Sequence, residues 1–122
     1  MTRPWTEIIE FYRSFQGSTL NLDFMLVFAE EIKSSEYVRG LHAWTSMHDL
    51  CIVQSEVAHP YDGPYLRVHP LFDGTVEFRY LDTNIKDKQW TRIVGEDELF
   101  DRLESFLNQL HWFVVEVKEN ES

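Results

Sequence analysis

Apolar residues near the start of the chain recur at helical spacing. Between residues 4 and 16 the large apolar side chains share one helical stripe, formed by Trp5, Ile8, Ile9, Tyr12 and Phe15. Pro4 suits a first helical turn, because its missing N–H needs no partner there. Gly17 favours an end to the helix. We therefore predict a first helix over roughly residues 4–16.

Residues 20–34 fit two patterns. Every second residue from Leu20 to Phe28 is apolar, as in a strand. Helical spacing fits as well, through Leu22, Met25, Leu26, Ala29 and Ile32. Because the run Ala-Glu-Glu-Ile-Lys at 29–33 consists mostly of good helix formers, we predict a second, buried helix.

The middle of the chain has a different pattern of residues. From Leu41 to Val94, β-branched and aromatic residues alternate with polar ones, and turn residues interrupt them. The alternation predicts strands near residues 41–46, 50–56, 65–71, 75–82 and 88–94. Short connections predict antiparallel neighbours. Two prolines and an Asp-Gly pair predict a loop from Val57 to Pro64.

A final helix is predicted by an apolar repeat at intervals of three, four and seven. Its members are Leu99, Leu103, Phe106, Leu107, Leu110 and Phe113. The acidic residues 96–98 would lie in its first turn, where the helix dipole favours negative charge. Together these elements predict one α+β domain over residues 1–122. It would contain two N-terminal helices, a five-stranded antiparallel sheet and a C-terminal amphipathic helix packed on one face.

One hairpin register can be predicted from side-chain partition. The pair Asp73-Gly74 can close a two-residue or a three-residue loop. A two-residue loop would place apolar Val68 opposite charged Arg79. A three-residue loop, Phe72-Asp73-Gly74 with the glycine left-handed, places Val68 opposite Phe78. A slip of one residue moves every side chain to the other face, so the clean separation favours the three-residue loop.

This register gives the sheet one apolar and one polar face. On the polar face Arg67 would lie beside Arg79, and His69 beside Glu77. Alternation in the outer strands adds further members, so that the candidate ligand- or partner-binding residues are His42, Trp44, Arg67, His69, Glu77, Arg79, Trp90 and Arg92. Guanidinium groups suit carboxylate or phosphate, and indole rings supply contact area. A solvated face with ordinary cross-strand pairs would show the same pattern.

Composition narrows the function classes. Eleven Lys and Arg against 21 Asp and Glu give a net charge of −10, which disfavours nucleic acid and anionic membranes as partners. The densest apolar run, from Phe24 to Ala29, is too short to span a bilayer, and the N-terminus lacks the apolar core of a signal peptide. One cysteine excludes an internal disulfide. We therefore expect a cytoplasmic location.

Catalytic and cofactor patterns are weak. The histidines 42, 48, 59 and 69, with Asp49, cluster in the strand region without a known metal-ligand spacing, so no metal is expected. Ser46, His48 and Asp49 have the residue types of a hydrolase triad, but a turn explains them better. Cys51 lies in an apolar run, which predicts a buried, unreactive thiol. Single glycines form no phosphate-binding loop, and no cofactor is expected.

Three functions stay open. The leading hypothesis is a small acidic, non-enzymatic protein-binding module of the inhibitor, immunity or adaptor type, for which a basic protein is a suitable partner. An alternative is a binding protein or enzyme for a small anionic ligand on the polar sheet face. In that case Arg67, His69, Arg79 and Arg92 would carry the site. The third is a structural homodimer formed through the sheet face, which exposed Trp44 and Trp90 would favour.

Overall fold

The computed structural model describes residues 2–54, 64–82 and 85–112. It confirms the predicted α+β architecture. The helices are α1 (Trp5–Arg13), α2 (Asp23–Ser34) and α3 (Leu99–Leu110). The strands are β1 (His42–Ser46), β2 (Asp49–Val53), β3 (Tyr65–Pro70), β4 (Thr75–Leu81) and β5 (Trp90–Gly95). Short 3₁₀ turns cover Glu36–Arg39, Lys86–Lys88 and Glu96–Glu98.

Two predicted features fall partly outside this range. The proposed loop from Val57 to Pro64 and the predicted strand end at 55–56 lie outside the described residues, except for Pro64 itself. The same holds for Phe113, the last member of the apolar repeat in the final helix. The ambiguous segment 20–34 contains α2, so the helical prediction is confirmed.

The sheet is an antiparallel meander in which each strand pairs with the next one along the chain, in the order β1-β2-β3-β4-β5. Between β3 and β4, Val68 lies opposite Phe78, which confirms the three-residue loop. Gly74 has a φ of +91°, as that loop requires, and Phe72 also adopts a positive φ of +60°. The hairpin between β1 and β2 is tighter, since Ser46 pairs directly with Asp49.

The main core lies between one face of the sheet and the three helices. Phe78 at its centre is fully buried, and its ring lies 6.3 Å from that of Phe28 in α2 and 5.0 Å from that of Phe106 in α3. Aromatic pairs at such distances add to the stabilisation from buried apolar area. We call the opposite side of the sheet the outer face. It carries a second, smaller cluster of buried residues, which consists of Trp44, Cys51, Val53 and Tyr65.

No described helix contributes a buried residue to the outer face, because the buried residues of α1, α2 and α3 all belong to the main core. Among the described residues, no helix has the length and apolar character needed to cross a membrane.

Candidate functional site

Strand registers arrange the outer face in rows across the sheet. The row nearest the two hairpin turns contains Ser46, Asp49, His69, Glu77 and Ile93. The next row contains Trp44, Cys51, Arg67, Arg79 and Thr91. Residues opposite each other in such rows are close enough for their side chains to interact.

Six of the eight candidate residues lie on this face, as the alternation predicts. They are His42, Trp44, Arg67, His69, Glu77 and Arg79. The predictions that the pairs Arg67 and Arg79, and His69 and Glu77, are cross-strand neighbours are both confirmed.

The placement of Trp90 and Arg92 on the polar face is wrong. β5 pairs Tyr80 with Trp90 and Phe78 with Arg92, so both residues share the helix-facing side of the sheet. Trp90 stacks on Tyr80 with ring centres 5.8 Å apart and lies 4.9 Å from the ring of Phe106. The Arg92 guanidinium lies 4.9 Å above the Trp90 ring, an arrangement that keeps the charge in solvent at an edge strand.

Trp44 lies on the expected face but is not an open contact surface. It is only 5% exposed, and its ring packs 5.3 Å from that of Tyr65. Its large apolar area therefore stabilises the sheet itself.

The chemical centre of the outer face is Asp49, which sequence reasoning did not select as a site residue. Its side chain is buried, yet it accepts a hydrogen bond of 2.6 Å from Arg67 Nε at Oδ2. Its other oxygen, Oδ1, lies 2.7 Å from His69 Nδ1. Arg67 Nη2 also donates to Ser46 Oγ at 3.4 Å. Burial of a carboxylate is tolerated because both of its oxygens have hydrogen-bond partners, one of them charged.

Asp49 could have been found from the alternation in β2. Residues 49, 51 and 53 share one face, and Cys51 lies opposite Arg67. The missing information was the pairing of β2 with β3, which no turn signal in the sequence specifies.

A second ion pair completes the electrostatics of this surface. Arg79 Nε lies 2.9 Å from Glu77 Oε1, and the Arg79 side chain is half exposed. Asp49 and Glu77 therefore balance Arg67 and Arg79, so these four charges sum to zero within a chain of net charge −10. His69 stands beside them with 46% of its side chain exposed.

The arrangement does not form a hydrolase triad. The imidazole beside Asp49 belongs to His69, whereas the His48 ring packs edge-on against Phe15 at 5.3 Å. Cys51 is fully buried, and this burial raises the pKa of its thiol to about 12. The thiol is therefore protonated near neutral pH and is a poor nucleophile. In the described part of the chain, no three His, Cys, Asp or Glu side chains converge as metal ligands; His59 lies outside that part.

An acidic cleft lies on the other side of the molecule, between α2 and the start of α3. It has a volume of about 420 Å³, and its walls carry the carboxylates of Glu31, Glu96, Asp97 and Asp101. Apolar side chains, among them Phe24 and Val27, also line it. Burial, and then the nearby Asp101, raise the pKa of Glu31.

Comparison with known proteins gives no match. No protein family, no curated protein and no solved structure matches the chain.

Proposed function

We propose that this chain is a non-enzymatic protein-binding module of the inhibitor, immunity or adaptor type, and that it binds its partner through the outer face of the sheet. The supporting observation is the buried Asp49, which holds Arg67 and His69 in place on a face that no described helix packs against. Side chains fixed before binding lose less conformational entropy when a partner docks.

The contents of the face suit a protein partner. It combines the half-exposed Arg79, paired with a mostly buried Glu77, and an exposed apolar side chain, Ile93, in the neighbouring strand. A mixture of apolar area and arginine is typical of protein interfaces. The net charge of −10 would speed association with a basic protein.

A small anionic ligand is less well supported. Both arginines on the outer face already have carboxylate partners, so their positive charge is compensated. Arg92, the third arginine of that hypothesis, lies on the opposite side of the sheet. A bound anion would have to displace Asp49 or Glu77 from its arginine, and the free energy of that ion pair would be lost on binding.

A homodimer through the sheet face also has less support. That hypothesis drew on exposed indole rings, and Trp44 is buried while Trp90 faces the helix side. For location, we propose the cytoplasm, because a reducing compartment suits a chain whose one cysteine is a free thiol.

Charge reversal on the outer face tests the proposal. Arg79→Glu changes a half-exposed side chain in the centre of the face. Lys33→Glu makes the same change of charge on α2, where Lys33 lies on the exposed surface, and serves as the control. Both variants should show the circular dichroism spectrum of the folded chain. We expect immobilised wild type and Lys33→Glu to retain the same protein from extracts of the source organism, and Arg79→Glu to lose it.

The proposal would be refuted if no protein is retained specifically. It would also be refuted if Arg79→Glu retains the partner as strongly as wild type does.

A further inference from the structure

Two exposed apolar residues project from neighbouring hairpin turns. Met47 lies in the two-residue turn between β1 and β2, and its relative exposure is 83%. Phe72 begins the turn between β3 and β4 and is 48% exposed. His48 is the second residue of the first turn, and its ring lies 6.4 Å from that of Phe72 in the other turn. We call Met47, His48 and Phe72 the tip patch.

The tip patch is attached firmly to the fold. The His48 ring packs on Phe15 at 5.3 Å, and the His48 carbonyl accepts a hydrogen bond of 3.0 Å from Tyr12 Oη. Tyr12 is buried in the main core. The His48 ring and the turn that carries it are therefore held in place before any partner arrives, which lowers the entropic cost of binding.

Backbone geometry makes the two apolar residues unfavourable for stability. Met47 has a φ of +56° and Phe72 a φ of +60°, both in the left-handed region. Non-glycine residues there cost about 1–2 kcal/mol, and Gly or Asn is the usual occupant. The Met47 side chain is almost fully exposed, so burial within the chain offsets little of this cost. Its presence is better explained by a contact outside the chain.

Acidic residues lie beside the turn that carries Phe72. Asp73 follows Phe72, and the N–H of Glu96 donates to the carbonyl of Gly74 at 3.1 Å, which brings the acidic 3₁₀ turn Glu96–Glu98 next to this hairpin turn. Within the described residues, neither Asp73 nor Glu96 nor Asp97 has an ion-pair partner. The tip patch thus has an acidic rim on its Phe72 side.

Resting on the proposed protein-binding function, we propose that the tip patch is the anchor of the interface, and that it inserts into an apolar pocket with a basic rim on a different protein. A turn tip projects, so the complementary surface is concave. A second copy of this chain is a poor occupant, because it would bring the same acidic rim and a further charge of −10. Buried apolar anchors of this kind carry most of the affinity in protein interfaces.

Site-specific photo-crosslinking tests the assignment. A benzophenone amino acid replaces Met47 in the full chain, produced in the source organism. A control chain carries it in place of Ile85, an exposed apolar residue at the opposite end of the sheet. We expect a basic protein to be crosslinked from position 47 and not from position 85. Crosslinking from neither position, from both equally, or only to a second copy of the chain would overturn the proposal.

The affinity of the chain for the purified crosslinked protein provides a quantitative test. We expect Met47→Asn to weaken this binding at least about tenfold and Ile85→Asn to leave it unchanged. Asn tolerates the left-handed conformation, so the unfolding midpoint of Met47→Asn should equal or exceed that of wild type. Unchanged affinity, or a midpoint lowered as strongly as the affinity, would contradict an anchor role.

The two proposals fail in different ways. If Arg79→Glu binds the crosslinked protein normally and Met47→Asn does not, the tip patch is retained as the anchor and the outer face is rejected as the main contact surface. The reverse result would retain the outer face and remove the tip patch.

Discussion

The pair formed by Asp49 and Arg67 gives the sharpest test of the structural reasoning. Asp49→Asn keeps the shape of the side chain but removes the charge that Arg67 Nε and His69 Nδ1 contact at 2.6 and 2.7 Å. A hydrogen bond to a charged group contributes about 1.5–3 kcal/mol. The amide oxygen can still accept from Arg67, and the amide N–H can donate to His69 Nδ1 when the imidazole carries its proton on Nε2, so both contacts lose their charge-assisted character. Arg67, whose side chain is 24% exposed, would also lose its counter-charge. We expect the free energy of unfolding to fall by about 3 kcal/mol.

A double-mutant cycle separates the pair from its surroundings. Urea unfolding of wild type, Asp49→Asn, Arg67→Met and the double variant should give a coupling energy of about 2 kcal/mol. Glu77→Gln and Arg79→Met provide the control cycle, since Arg79 is half exposed. Exposed pairs contribute about 0–1 kcal/mol, so the control coupling should be clearly smaller. Equal coupling in the two cycles would show that burial of Asp49 does not strengthen its ion pair.

Three further predictions concern a buried thiol and a turn. Native Cys51 should not react with Ellman's reagent at pH 8, because the thiol is buried and its burial raises the pKa to about 12. The chain unfolded in urea should react at once. Rapid reaction of the native chain would disprove the burial. In the unfolded chain the Cys51 thiol loses its proton near its ordinary pKa of 9.0, whereas in the folded chain it keeps the proton to higher pH. Above pH 9 the free energy of unfolding should therefore fall by up to about 1.4 kcal/mol per pH unit because of this group. Cys51→Ala should remove that part of the pH dependence. Gly74→Ala should lower the free energy of unfolding, measured with heat or urea, by about 1 kcal/mol. The reason is the backbone φ of +91°, since the added Cβ would meet no atom within 4 Å. Gly95→Ala should cost less, since its φ is −76° and only the movable Asp97 side chain is in the way; equal costs would refute the backbone explanation.

Local patterns predicted the elements well because each pattern depends on neighbours along the chain. The segment 20–34 resembled both a helix and a strand, and the residues at 29–33 decided correctly for the helix α2. The β3–β4 register was predictable because two trial pairings could be compared, and only one of them placed Val68 opposite Phe78. Such a comparison needs a short loop that limits the possible registers to two.

Long-range register is where the sequence was insufficient. The connection between β4 and β5 spans eight residues, 82–89, and does not limit the pairing to a few choices, so alternation placed Trp90 and Arg92 on the wrong face. An arginine on the helix-facing side of a strand also contradicts a simple apolar pattern. It is accommodated because β5 is an edge strand and Arg92 extends over the Trp90 ring.

The role of Asp49 depended on the pairing of two strands that a long connection separates. Its partners Arg67 and His69 lie 18 and 20 residues further along the chain, so no local motif connects them. The residue types offered several histidines and acids, and the nearby His48 was the more obvious partner. Only the pairing of β2 with β3 selects His69.

The strand order has a consequence for how the molecule is assembled. Because every strand pairs with the strand that follows it in the chain, the sheet can grow by adding one hairpin at a time. Sequential pairing keeps most contacts between residues that are near in sequence, and chains of this kind fold faster than those that must first join distant segments. The β1–β2 and β3–β4 hairpins both have short loops that cost little entropy to close, and we expect pairing to begin at β3–β4, because that hairpin carries the central Phe78.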